Sequence, residues 1–197
     1  CEPDGRFPNH HPDPVVEENM LQLRQRIKEE GADLGIGLDG DADRIGVMDE
    51  NGRLLFGDEL LSLFARELLT CKPGATIIGE VKCSHLMYKD IAEHGGNPLM
   101  WITGHSYIKA KMREIHAALA GEMSGHIFFS DNWFGFDDGI YGAARFADIF
   151  TGQSKPLSTL PGWPKTAKTP EIHLPCPDEI KFAVVEKAQA YFRNKYT

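Results

Sequence analysis

At residues 34–44 the chain reads LGIGLDGDADR, an apolar segment that runs directly into three alternating aspartates. The apolar half predicts a buried strand, and residues 45–48 predict a second strand. Asn51-Gly52 then marks a tight turn into a further short apolar run. An acidic loop directly after a strand is typical of α/β proteins, because their sites lie at the carboxyl ends of strands.

Strand-like and helix-like segments alternate downstream of this turn. Upstream, Asp13 is predicted to cap the N-terminus of a helix that ends at Gly31. The expected fold class is α/β, with a mixed, mostly parallel sheet flanked by helices. Apolar periodicity predicts the later helices over residues 58–69, 84–94, 105–116 and 138–150, and the later strands over residues 76–81, 99–102, 118–120 and 127–129.

The composition is that of an ordinary globular protein and excludes several classes of partner. The 197 residues carry 21 Lys and Arg against 29 Asp and Glu, a formal net charge of −8. This acidic balance argues against a nucleic-acid partner, because neutralising phosphates needs clustered basic residues. No apolar run approaches the roughly 20 residues of a transmembrane helix, so no membrane association is expected. Reduced thiols and a cytoplasmic location are indicated by four cysteines without a Cys-x-x-Cys pair: Cys1, Cys71, Cys83 and Cys176.

Residues 151–170 are rich in proline and glycine and predict a linker. Residues 171–174 and a predicted helix over 178–192 would then open another domain. The chain has no initiator Met, begins in a proline-rich loop and closes on a helix without a cap. We therefore expect it to be a piece of a longer protein.

The acidic loop is a candidate metal site. Asp39, Asp41 and Asp43 place three carboxylates within five residues, and these repel one another unless a cation neutralises them. Hard oxygen ligands on a short loop suit Mg²⁺, which takes about six oxygens at roughly 2.0–2.1 Å. Gly40 is expected to provide the tight turn, and Arg44 adds a fixed cation suited to a phosphate group.

Two other interpretations of the same loop use the same residues. An EF-hand would need Gly at the position of Arg44 and helices on both sides, so it fails. A haloacid-dehalogenase-type phosphatase would use Asp39 as an aspartyl nucleophile, with Lys82 and the pair Asp137-Asp138 in its downstream roles. That family prefers Thr or Val where Asp43 stands, but the interpretation stays open.

A second candidate loop lies at residues 121–126, which read GEMSGH. Its two glycines free the backbone, and Glu122, Ser124 and His126 alternate, so their side chains can converge on one face. A carboxylate, a hydroxyl and an imidazole together suit the recognition of sugar hydroxyls. Lys82 and His105 each follow a predicted strand, so the parallel sheet would bring them to the same edge.

These segments together resemble the α-D-phosphohexomutases, most closely their bacterial phosphomannomutase/phosphoglucomutase branch. Met123 favours the mannose and glucose enzymes within the family, and Ala42 replaces a glycine that many relatives carry. The matching stretches are residues 7–14 (FPNHHPDP), 39–44 (DGDADR), 103–106 (TGHS), 121–126 (GEMSGH) and 133–139 (WFGFDDG).

The resemblance implies an isomerase that converts hexose 1-phosphates to hexose 6-phosphates through a phosphoserine and a hexose 1,6-bisphosphate. Asp39, Asp41 and Asp43 would hold Mg²⁺, and Arg44 would stabilise charge on the moving phosphoryl group. Glu122 and Ser124 would bind sugar hydroxyls. The residues that would line the cleft, contact the substrate or assist proton transfer are Lys82, His105 and His126. The parent protein would be a cytoplasmic monomer acting on mannose and glucose phosphates.

The family's Thr-Ala-Ser-His-Asn-Pro segment around the catalytic serine is absent from this sequence, as is the phosphate-binding loop of the last domain. The expected division is therefore part of domain 2 (residues 1–53), domain 3 (54–166) and the start of domain 4 (167–197). The chain alone is expected to have no mutase turnover. A stand-alone Mg²⁺-dependent sugar phosphatase and a non-catalytic sugar- or metal-binding module remain the alternatives.

Overall fold

The computed structural model describes residues 4–165, 172 and 174–196. The chain divides into two compact units, Cys1–Trp163 and Pro164–Thr197. The strands are β1 (Leu34–Leu38), β2 (Ile45–Asp49), β3 (Leu54–Leu55), β4 (Thr76–Glu80), β5 (Asn97–Trp101), β6 (Leu119–Gly121) and β7 (Ile127–Phe129). The helices are α1 (Leu21–Glu30), α2 (Gly57–Cys71), α3 (His85–Glu93), α4 (His105–Ile115), α5 (Gly139–Thr151) and α6 (Lys181–Tyr196).

The described strands of the first unit form two sheets. β1, β2 and β3 form an antiparallel sheet in that order, with Leu38 opposite Ile45 at the end that carries the acidic loop. The second sheet has the order β5-β4-β6-β7, in which β4 pairs in parallel with both β5 and β6. The remaining pair of this sheet, β6 with β7, is antiparallel. The predicted fold class, a mixed and mostly parallel sheet flanked by helices, is confirmed.

Helix α2 supplies the centre of the core, as its apolar spacing predicts. Leu60, Leu61, Phe64 and Leu68 are each no more than 1% exposed. The Phe64 ring meets the Phe129 ring edge-on at 5.0 Å between ring centres, and burying a large apolar side chain of this kind contributes about 1.5–3 kcal/mol. This core fixes α2 against the sheet whose strand ends carry Lys82, His105 and the loop over residues 121–126.

The first helix begins later than predicted. Asp13 does not cap it, since α1 starts at Leu21 after a single 3-10 turn over Glu17–Met20. The Asp13 carboxylate instead accepts a hydrogen bond from the Val15 amide at 3.2 Å. The other Asp13 oxygen lies 3.5 Å from Arg44 Nη1. Asp13 therefore makes a local turn hydrogen bond and a tertiary ion pair in place of a cap on α1.

Among its described residues the second unit has one helix, α6, none of whose residues is buried. Residues 166–171 and 173 lie outside the described residues, so the predicted boundary at 166/167 and half of the segment over 171–174 fall there. No helix within the described parts of the chain is both long and apolar enough to cross a lipid bilayer.

Candidate functional site

The acidic loop is held in shape by Arg44. Its Nε donates to Asp39 Oδ2 at 2.7 Å, and its backbone amide donates to Asp39 Oδ1 at 3.1 Å. The Asp39 side chain is only 3% exposed. Burial raises the pKa of Asp39, but the two hydrogen bonds from Arg44 outweigh burial and hold the pKa below its ordinary value. Asp39 therefore stays ionised at the end of β1.

The three aspartates of the loop converge. One carboxylate oxygen from each of Asp39, Asp41 and Asp43 lies within 4.8 Å of the others. Burial, together with the neighbouring Asp39 and Asp41, raises the pKa of Asp43 above its ordinary value in spite of the opposing effect of His126. Three hard oxygen donors whose negative charges repel one another fit a divalent cation such as Mg²⁺.

The tight turn of this loop lies at Ala42 and not at Gly40, where the sequence predicts it. Ala42 has a φ of 62°, in the left-handed region. Gly40 instead packs closely against the Phe7 ring, so a Cβ at this position would lie only 3.0 Å from the ring. A left-handed conformation costs a non-glycine residue roughly 1–2 kcal/mol, so the loop stores strain at Ala42.

We expect Ala42→Gly to stabilise the chain by about 1 kcal/mol, because glycine adopts this conformation without the Cβ penalty. The free energy of unfolding in urea measures the change. Ala147→Gly is the matched control, since Ala147 is exposed in the regular part of α5. There the same substitution should lose about 1 kcal/mol of helix stability. Equal losses in both variants would contradict the strain at Ala42.

The loop at residues 121–126 connects β6 to β7, and its three predicted side chains contact one another. His126 Nδ1 lies 3.0 Å from Glu122 Oε2 and 2.9 Å from Ser124 Oγ. The other oxygen of Glu122 accepts the Gly104 amide at 2.7 Å. Burial lowers the pKa of His126, but the Glu122 hydrogen bond and the charge of Asp43 outweigh burial and raise it.

Backbone contacts join the two loops. The Ile45 amide donates to the Gly125 carbonyl at 3.0 Å, and Arg44 forms an isolated antiparallel bridge with His126. At the side-chain level, His126 Nε2 lies 3.4 Å from Asp43 Oδ1. The candidate metal loop and the candidate sugar loop therefore form one continuous site.

The N-terminus of α5 closes on the same site. The Gly139 amide donates to the Ala42 carbonyl at 2.9 Å. A Cβ at Gly139 would lie 2.7 Å from the Arg44 carbonyl oxygen, so the glycine is required by this close approach. The segment over residues 133–139 is thereby attached to the acidic loop.

The structure brings His105 into this site. Its ring stacks on the His126 ring with 5.5 Å between the centres, and its Nδ1 lies 3.0 Å from Asp137 Oδ2. Lys82 lies further along the same edge of the sheet, with its Nζ 3.8 Å from Glu80 Oε1. The same Glu80 oxygen accepts the Met123 amide at 3.0 Å, so Lys82 is linked to the sugar loop through Glu80.

Four charged residues hold the site together: sequence reasoning missed Glu80 and Lys109, predicted Asp13 only as a helix cap, and gave Asp137 a role only in the phosphatase alternative. Asp13 pairs with Arg44, and the fully buried Glu80 accepts the Met123 amide and the Thr103 hydroxyl. Lys109 and Asp137 pair with each other at 2.8 Å. For Lys109 the available signal was its spacing, because it follows His105 by one helical turn.

A second set of possible metal ligands overlaps the first. Asp43, His126 and Asp137 also offer ligand atoms within 4.8 Å of one another. His126 is already engaged by Glu122, however, and Asp137 is already neutralised by Lys109. Asp39, Asp41 and Asp43 offer three carboxylates on one loop and are the candidate metal ligands, with Arg44 as a cationic neighbour that also engages Asp39.

Both halves of the first unit match models of one family. Residues 56–165 match the model described as phosphoglucomutase/phosphomannomutase, alpha/beta/alpha domain III. Residues 1–52 match the alpha/beta/alpha domain II model of the same family.

Relatives and solved structures agree with these matches. The chain is 48% identical over 190 residues to a phosphomannomutase/phosphoglucomutase of Pseudomonas aeruginosa, covering 96% of this chain and 41% of the relative. It is 46% identical over 178 residues to a phosphoglucomutase of Neisseria gonorrhoeae, covering 90% and 39%. A crystal structure of a phosphoglucomutase/phosphomannomutase family protein from Burkholderia thailandensis superposes with a TM-score of 0.81 at 49% identity, covering 85% and 36%. The chain thus spans about two fifths of the curated relatives' length.

Proposed function

Since the chain belongs to the phosphoglucomutase/phosphomannomutase family, we propose that it is the central part of a phosphohexomutase. The parent enzyme would interconvert the 1-phosphates and 6-phosphates of mannose and glucose through a phosphoserine and a hexose 1,6-bisphosphate. Within it, residues 1–53 would complete domain 2, residues 54–166 would form domain 3, and residues 167–197 would open domain 4.

One observation carries this proposal: the metal loop and the sugar loop share a single site. The Ile45–Gly125 hydrogen bond and the Asp43–His126 contact hold them together. A phosphoryl group bound at the aspartates would therefore lie beside the hydroxyls of a sugar bound at Glu122 and Ser124. Phosphoryl transfer depends chiefly on this kind of positioning and on charge neutralisation.

The acidic half of the site would manage the charge of the phosphoryl group. Asp39, Asp41 and Asp43 would hold Mg²⁺, which supplies positive charge against the phosphate oxygens when bound. Arg44 keeps its guanidinium near this position, where it would stabilise charge on the phosphoryl group in transit.

The other half would bind the sugar and manage protons. Glu122 and Ser124 would hydrogen-bond the sugar hydroxyls, and Lys82 would contact the substrate from the edge of the sheet. His126 holds a proton readily, because its pKa is raised by Glu122 and Asp43 against the effect of burial. Its ring, beside that of His105, would give a proton to one sugar oxygen or accept it from another as the phosphoryl group moves.

A segment exchange tests the proposal. The corresponding part of the Pseudomonas aeruginosa relative is replaced by residues 1–165 of this chain, and conversion of glucose 1-phosphate to glucose 6-phosphate is measured. We expect the exchanged enzyme to stay active and Glu122→Gln within it to lower kcat/KM by about 100-fold or more, since the substrate loses a charged acceptor oxygen. Glu93→Gln, the same change at an exposed residue of α3, should have no effect.

The 197-residue chain by itself should show no turnover, because its sequence contains no Thr-Ala-Ser-His-Asn-Pro segment. Formation of glucose 6-phosphate by the purified chain would contradict this expectation.

Release of inorganic phosphate, lost in Asp39→Asn, would support the phosphatase alternative. That alternative is disfavoured by Arg44, which occupies both oxygens of Asp39. Equal affinity for glucose and glucose 1-phosphate would support a sugar-binding module.

A further inference from the structure

Lys109, His105 and Asp137 form a charged cluster beside the two stacked histidines. Lys109 Nζ lies 2.8 Å from Asp137 Oδ1, and His105 Nδ1 lies 3.0 Å from Asp137 Oδ2. Lys109 Nζ also lies 3.3 Å from His105 Nδ1. His105 and Lys109 are one helical turn apart on α4, so they face Asp137 from the same side of the helix.

Asp137 is fixed in place by its own backbone and by its neighbours. It forms an isolated antiparallel bridge with Phe128 of β7, and the following residue, Asp138, caps α5. Its side chain is only 8% exposed. Burial raises the pKa of Asp137, but the hydrogen bond and charge of Lys109 outweigh burial and hold the pKa below its ordinary value. The carboxylate is therefore an ionised acceptor with one oxygen for each partner.

The donors and acceptors of this cluster select one form of the His105 ring. A carboxylate can only accept and an ammonium group can only donate. With a hydrogen on Nδ1, His105 donates to Asp137 Oδ2 while Lys109 donates to Oδ1. Without that hydrogen, the Nδ1 lone pair would accept from Lys109 at 3.3 Å but would face the carboxylate at the shorter distance of 3.0 Å, so the closer contact favours the hydrogen on Nδ1. In the neutral ring, Nε2 then keeps its lone pair.

We propose that Lys109 is a positioning residue, which orients Asp137 so that His105 keeps its hydrogen on Nδ1 and presents Nε2 as an acceptor to a sugar hydroxyl. That the ligand of Nε2 is a sugar hydroxyl rests on the proposed function. The position of the hydrogen on the His105 ring does not depend on it. His105 is half exposed and lies over His126, so its ring is accessible to a ligand of the sugar loop. Lys109 acts through Asp137 and need not touch the substrate.

Nuclear magnetic resonance of the 197-residue chain with ¹⁵N-labelled histidine rings tests the ring form. Two-bond ¹H–¹⁵N spectra report which ring nitrogen carries the hydrogen, and His105→Asn identifies the His105 signals. We expect the wild-type ring to carry its hydrogen on Nδ1. In Lys109→Met this single form should be lost, since Asp137 Oδ1 loses its donor and the carboxylate can rotate. An unchanged His105 signature in Lys109→Met would overturn the proposal.

Two further variants separate positioning from folding. Lys109→Arg keeps a cationic donor and should restore the Nδ1–H form. Lys111→Met is the matched control, because Lys111 lies on the same helix but pairs with Glu114 and covers the Trp101 ring. It should leave the His105 signals unchanged. Loss of the Nδ1–H form in both Lys109→Arg and Lys111→Met would assign the effect to general disturbance of α4 and overturn the proposal.

A double-mutant cycle tests the link to the substrate. The affinity of the 197-residue chain for glucose 6-phosphate should fall in Lys109→Met and in His105→Asn, and the double variant should match His105→Asn within about twofold, since Lys109 acts through His105. Additive losses of affinity in the double variant would show that Lys109 does not act through His105. If the unaltered chain does not bind glucose 6-phosphate, the proposed function fails, while the spectra still decide the role of Lys109.

Discussion

Gly57→Ala should lower the free energy of unfolding by about 3 kcal/mol or more, because the new methyl group has no space. Gly57 is the first residue of α2, directly beneath the sugar loop. An added Cβ would overlap the Glu122 carbonyl oxygen and lie 2.9 Å from Met123 Cα. These are backbone atoms, so relief requires moving either α2 or the loop that carries Glu122. Urea unfolding followed by tryptophan fluorescence measures the loss.

Gly142→Ala is the matched control for this prediction. It makes the same substitution in a helix, but its Cβ would meet its nearest neighbour, Ile45 Cγ2, at 3.7 Å, an ordinary contact. Since alanine favours the helix over glycine, this variant should gain about 0.5–1 kcal/mol. If the two variants prove equally stable, the close approach of α2 to the sugar loop is wrong.

The contrast between these glycines shows which parts of the fold the sequence could predict. Helix α2 is predictable because its apolar residues recur at helical spacing and meet one core, as Phe64 and Leu68 do. The requirement for glycine at position 57 is not predictable locally, because it comes from the Glu122 backbone, which is distant in sequence. The start of α1 was missed for a related reason, since Asp13 is used by Arg44 and not by its own helix.

The candidate site divides in the same way. The convergence of Asp39, Asp41 and Asp43 follows from alternation within one loop, and that of Glu122, Ser124 and His126 from alternation within another. The pairing of His105 with Asp137 joins residues 32 positions apart, and it depends on how α4 packs beside the segment before α5. Such a pair leaves no periodic pattern in the sequence, so the contact between His105 and Asp137 could be found only from the structure.

Asp41→Asn should weaken Mg²⁺ binding at least tenfold, or about 1.4 kcal/mol, because the site loses one of its three carboxylate charges. Asp41 is the exposed member of the three, so the amide of the same shape fits without repacking. Asp39 is less suitable for this test, because its carboxylate also accepts two hydrogen bonds from Arg44. Calorimetric titration of the 197-residue chain with MgCl₂ measures the affinity directly.

The control must separate a bound ion from general attraction of cations to an acidic chain. Asp148→Asn removes the same charge from an exposed position in α5 and should leave the Mg²⁺ affinity unchanged. A specific site also stabilises the folded chain, by about 2.7 kcal/mol when Mg²⁺ is present at 100 times its Kd. That gain should disappear on adding EDTA, and Asp41→Asn should lose most of it at the same Mg²⁺ concentration. Equal weakening in both variants would show that Mg²⁺ responds to net charge, and Asp39, Asp41 and Asp43 would then not form a metal site.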